Sequence, residues 1–194
     1  MAITATQSKL HWTYFVALEH DLEVIARYIE FAEPNMSVFS LELAHLLMAA
    51  SSEVDVVAKL LCDRLAPNAQ RKNIDHYRAV LCERISVLPR MEVVVPRYGL
   101  RLQPWSNWAS DKNPEWWRGY NNVKHERNAY FHEATLKNAL NSLAALLCLV
   151  FHYYQLETPE DLHGRRGKET FRSLKPDAAL MRLEGDFYYA AIVT

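Results

Sequence analysis

The sequence predicts a mainly α-helical fold: a compact antiparallel helical bundle with a short β-hairpin tail at the C-terminus. Apolar residues recur at helical spacing over several long stretches. Glycine is scarce, 5 of 194 residues, which disfavours an all-β fold rich in tight turns and any glycine-rich nucleotide loop. Half of the residues are hydrophobic and 23% are charged, an ordinary globular balance with enough apolar material for one sizeable core.

The first helix is read from Trp12, Phe15, Val16, Leu22, Ile25, Ile29 and Ala32, a stripe that Glu33-Pro34-Asn35 closes. The second carries Phe39, Leu43, Leu46, Ala50, Val54, Val57 and Leu61, with Ser37 as its capping residue and Ala66-Pro67-Asn68 as its end. A shorter third helix holds Ile74, Tyr77, Val80, Leu81, Ile85 and Leu88 before Pro89. Residues 92–104 are partly β-branched and broken by proline, so a long connection with one short strand is expected there. Asn113-Pro114-Glu115 reads as the next helix start, with a capping amide, proline in the first turn and an acid behind it. Gly119 and Asn121-Asn122 are expected to interrupt that helix. From Ala134 to about Gln155 runs the most apolar helix, expected at the centre of the core. Beyond it lie a basic glycine-bearing loop, residues 162–168, and two apolar runs around Glu184-Gly185-Asp186 that read as a hairpin. The expected organisation is a bundle over residues 1–156 and an extension over 157–194 packed on it.

The formal net charge of -1 excludes a protein that coats nucleic acid through bulk positive charge, so any such contact must be local. Cys62, Cys82 and Cys148 stand apart among apolar neighbours and read as free thiols in a reducing compartment. No basic segment followed by an apolar stretch opens the chain, and the longest apolar run, residues 143–151, is about half of what crosses a bilayer. A cytoplasmic location without membrane contact is expected.

The richest polar stretch is residues 116–132. On a continuous helix Asn121, His125, Asn128 and His132 would fall within about 60° of one another, bordered by Lys124. Such a face is usually solvated surface built from Glu and Lys. Asn and His are weaker helix formers, so placing four of them together points to another benefit, such as holding an anion or moving protons. Arg127-Asn128-Ala129-Tyr130-Phe131-His132 resembles the R-x4–6-H motif of HEPN-domain proteins, including the polar residue after the arginine. Residues 120–127 resemble a signature of some bacterial HEPN-like proteins, and the likeness in organisation covers residues 12–155.

The resemblance implies a metal-independent endoribonuclease of a toxin or phage-defence type, acting as a homodimer, without a cofactor. A cognate antitoxin or regulatory protein is a further partner it implies. Arg127 would pair with the scissile phosphate, His132 would transfer a proton to or from ribose oxygens, and Asn128 would orient either. Lys124, His125, Asn121 and Tyr120 would contact substrate. Glu42 or Asp55 from the second helix would support the motif. The alternative is a non-catalytic module of the same class that binds nucleotide, RNA or protein. One geometric constraint stands: residues five apart on a straight helix point about 140° apart, so Arg127 and His132 need a broken helix or a second subunit to converge.

Two other features have competing readings. A metal hydrolase would draw on His125, His132 and Glu133 with Asp111 or His152, although no spacing matches a zinc pattern. Trp105, Trp108, Trp116 and Trp117 either stack on bases, or anchor a loop to the core or fill a dimer interface.

Overall fold

The computed structural model describes residues 8–158 and 166–184. The described helices are α1 (Leu10–Ile25), α2 (Leu41–Leu65), α3 (Ile74–Arg84), α4 (Glu115–His125), α5 (Arg127–Tyr130), α6 (Leu136–Glu157) and α7 (Arg166–Ser173). Three short strands join them, β1 (Val93–Val95), β2 (Leu100–Leu102) and β3 (Arg182–Leu183). The fold is mainly α with a small antiparallel sheet.

The core is built on α2 and α6, which pack along their length, with α1 and α4 on their flanks and α3 against α2. The two central helices start side by side: Phe39 and Thr135, just ahead of them, form an isolated antiparallel bridge. They also end side by side, where Arg64 of α2 donates to Tyr153 and Glu157 of α6 at 2.8 Å each. They therefore share direction, which the long intervening connection permits. α1 runs against them, its His11 meeting Tyr154 at the far end of α6.

Side-chain caps set the helix starts. Ser40, not Ser37, caps α2 by accepting from the Leu43 amide at 3.2 Å, so Phe39 lies outside the helix whose stripe it was read into. Asn73 caps α3 and Thr135 caps α6 in the same way. α6 is apolar almost all round because neighbours surround it. It is the one described helix long and apolar enough to cross a membrane, and 83% of its most apolar stretch is buried inside the fold.

Residues 92–104 form two strands rather than one. β1 pairs antiparallel with β2, Val93 opposite Leu102, around a turn in which Gly99 adopts φ +64°. β3 adds to the other edge of β1, with Val93 opposite Leu183. Arg101 reaches Glu92 at 2.5 Å and Glu184 at 2.7 Å. The second half of the expected terminal hairpin, residues 185–194, lies outside the described residues, as does most of the expected basic loop; its last part opens α7 instead.

The segment leading to β3 is held on the bundle from within. Glu19, 2% exposed on α1, accepts from the backbone amides of Ala179, Leu180 and Met181 at 2.8, 3.0 and 2.7 Å. Trp12 donates to the Pro176 carbonyl at 2.9 Å, and Phe171 of α7 stacks on Phe151. Bonds from backbone amides to a carboxylate are among the stronger sort, and three of them offset the cost of burying that group.

Candidate functional site: the turn between α4 and α6

α4 does not continue through the motif. It ends at His125, where Glu126 leaves helical geometry (φ −137°, ψ 51°). α5 then carries Arg127 and Asn128, and a single 3-10 turn, Phe131–Glu133, carries His132. The side chain of Asn122 donates to both carboxylate oxygens of Glu133 at 3.2 and 3.0 Å. On a straight helix these residues would stand about 16 Å apart; their contact requires the chain to fold back between them. The single polar face expected from Asn121, His125, Asn128 and His132 is therefore not formed. Arg127 lies on α5 and His132 on the 3-10 turn that follows it, so the 140° of one straight α-helix does not describe the pair.

Gly119 does not break α4 but lets it pack. A Cβ there would lie 2.7 Å from Nδ2 of Asn138, and that nitrogen donates to the Glu133 carbonyl at 2.8 Å. Gly119, Asn122, Glu133 and Asn138 together close the base of the turn. A second tie comes from the strand-like residues before α2: the amides of Leu136 and Lys137 donate to the carbonyls of Val38 and Met36. Phe39 meets Phe131 at 5.6 Å with the rings at 87°.

Above this base the turn is open. Lys124, His125, Arg127, Asn128 and His132 are all exposed. Among the described residues the side chains of Arg127, Asn128, His125 and His132 form no hydrogen bond or ion pair; His132 has only a tilted ring contact with Tyr130. Exposed arginines without an ion pair occur elsewhere, as at Arg27 and Arg90. What distinguishes the turn is that a guanidinium, two imidazoles, an amide and an ammonium crowd onto one short segment tied at both ends.

The remaining sequence candidates divide. Lys124 donates to the Tyr120 hydroxyl at 3.2 Å and lies over its ring. Tyr120 itself is buried against Trp117, so it positions Lys124 and does not offer its ring to a ligand. Asn121 gives its amide nitrogen to the Trp117 carbonyl and lines an open cleft of about 350 Å³ with Ile74, Asn113, Glu115, Trp117 and Arg118. Asn113, expected to cap α4, instead bonds to Asp75 and Arg78.

The remaining readings divide in the same way. All four clustered tryptophans are buried, with Trp116 donating to the Pro104 carbonyl at 2.8 Å and Trp105 to that of Ala145; they pack the connection and α4 onto the core, the second of the two readings. Asp55 is engaged by Lys59 and by the Tyr77 hydroxyl, which donates at 2.7 Å, and Glu42 pairs loosely with His45; both side chains have partners on α2 or α3. The proposed metal ligands do not gather, and no group of three or more His, Cys, Asp or Glu suited to a metal occurs among the described residues. His152 is buried against Met91 and Gln155, and burial pushes its imidazole down to about 4. Cys62, Cys82 and Cys148 are free, and burial raises each thiol, Cys62 to about 11.

The tying role of Asn122, Glu133 and Asn138 was not read from the sequence; the signal present was Thr135, a capping residue type just ahead of an apolar run. No protein-family model, curated protein or solved structure matches the chain.

Proposed function

We propose that the chain is an RNA-directed protein of HEPN type, and that its exposed turn cleaves single-stranded RNA without a metal. The observation that supports this reading is the concentration of exposed Lys124, His125, Arg127, Asn128 and His132 on a turn tied at both ends. A guanidinium without an internal carboxylate is available for bidentate contact with phosphate oxygens. It offsets charge that builds on those oxygens in the transition state. An imidazole can both accept and donate a proton.

The reaction needs two proton transfers. The ribose 2′-hydroxyl loses a proton as its oxygen attacks the adjacent phosphorus, and the departing 5′-oxygen gains one. The products are a 2′,3′-cyclic phosphate and a 5′-hydroxyl. His132 supplies one transfer, and the His132 of a second copy in a homodimer supplies the other. Asn128 orients the phosphate, while His125 and Lys124 hold the neighbouring backbone.

The test is incubation of single-stranded RNA with the purified protein in EDTA. Cleavage with cyclic phosphate ends, lost in Arg127→Ala and His132→Ala, is the expected result. A second reading, a non-catalytic RNA- or nucleotide-binding module, is favoured by one observation: among the described residues no side chain hydrogen-bonds the His132 ring to fix its tautomer. RNA binding that depends on Arg127, without cleavage at any protein concentration, would select that reading.

A further inference from the structure

We infer that Phe39 is a stacking platform for an unpaired base of the RNA held at the neighbouring turn, an inference that rests on the RNA-directed reading above. Phe39 belongs by spacing to the apolar stripe of α2, yet Ser40 caps that helix and leaves Phe39 in extended backbone. It is 47% exposed, with Val38 at 37% and Leu41 at 53% beside it. A large apolar ring in water is unfavourable, and here it is also immobilised. Its backbone bridges Thr135, and the Leu136 amide donates to the Val38 carbonyl at 2.9 Å. Phe131 meets the ring at 87°. A ring fixed in this way loses little freedom on receiving a ligand.

The position decides the occupant. Phe131 directly precedes His132 and lies one helical turn beyond Arg127, so a base on Phe39 would sit one side chain away from the phosphate contacts. Aromatic faces receive any base, while the adjacent cationic groups attract the backbone. The other aromatic cluster near the turn is buried, and the exposed Tyr14 and Tyr28 belong to α1 and the turn after it. Val38, Phe39 and Leu41 alone are far smaller than the roughly 800 Å² per side of a protein interface, so a second copy seated on them would have to cover the turn as well. The substrate class that follows is single-stranded RNA with at least one unstacked base next to the bound phosphate; duplex RNA, whose bases are not free, is excluded.

The test measures binding of a labelled single-stranded dodecamer, 2′-O-methylated so that it cannot be cleaved, to the full chain by fluorescence anisotropy. Phe39→Leu keeps an apolar side chain of similar bulk and is expected to weaken binding about tenfold, the loss of one stacked base. Phe39→Trp is expected to restore or exceed wild-type affinity, and a dodecamer lacking the stacked base should no longer distinguish wild type from Phe39→Leu. Binding that needs Arg127 but is unchanged in Phe39→Leu overturns the platform and leaves the RNA reading standing. No binding by wild type overturns both. A Phe39→Leu variant that sediments as monomer where wild type is a dimer, with RNA affinity per chain unaltered, gives the shoulder to a second copy and overturns the inference.

Discussion

The two ends of α6 gather the same residue types and treat them oppositely. At its C-terminal end His11 meets Glu53 at 2.6 Å, the backbone amide of His11 donates to the Tyr154 hydroxyl, and Arg64 bridges Tyr153 and Glu157. Arg64 and Lys9 also lie over the Tyr153 and Tyr154 rings. At its N-terminal end His125, Arg127, Asn128 and His132 have no such partners among the described residues, while the backbone beneath them is tied by Asn122, Glu133 and Asn138. Histidine, tyrosine and arginine together therefore do not mark a site. Partners satisfied by the fold make such a cluster structural; partners withheld on a fixed backbone leave it free for a ligand.

The sharpest way to break this comparison is to remove the unpartnered groups. Arg127→Ala and His132→Ala should each reduce RNA cleavage at least about a hundredfold while leaving thermal stability within about 0.5 kcal/mol. Large loss of stability in either would mean that the open turn is structural after all. At the closed end the effects should reverse. His152 in the folded chain takes a proton only near pH 4, whereas in the unfolded chain it does so near 6.5. Its contribution is thus complete above about pH 6.5 and is lost as pH falls towards 4, in total about 3 kcal/mol. Urea unfolding across that range should show this slope, and His152→Leu should flatten it.

Gly119→Ala links the two ends of the comparison. The methyl group must displace Asn138 from the Glu133 carbonyl, an overpacking cost of about 1–3 kcal/mol, offset by about 1 kcal/mol of helix propensity. A net loss of about 1 kcal/mol and a parallel fall in activity are expected, since the base of the turn loosens. Glu53→Ala, which removes the partner of His11, should leave cleavage unchanged and cost about 1 kcal/mol by thermal unfolding, the loss of one hydrogen bond.

The helical class and the cores of α1, α2, α3 and α6 were legible because long apolar stripes are repeated signals, each supported by many residues. Single-residue decisions were not. Ser37 and Ser40 carry the same hydroxyl, and only the tertiary bridge between Phe39 and Thr135 decides which one caps. The second strand at residues 100–102 is short and depends on β1 and a glycine turn. The candidate residues of the site were visible by type, but their arrangement was not, because Asn122 and Glu133 fold the chain back through a contact that helical periodicity cannot encode. Gly119 looked like an interruption for the same reason: its need arises on α6, in Asn138.

The Glu19 carboxylate has a consequence for synthesis of the chain. Its three amide donors lie as many as 162 positions later. While the ribosome is still making the central helices, α1 carries an acid that can be hydrated but not yet enclosed. The α1 face around it stays wet until residues 179–181 emerge, so α1 is sealed only after the central helices have been made.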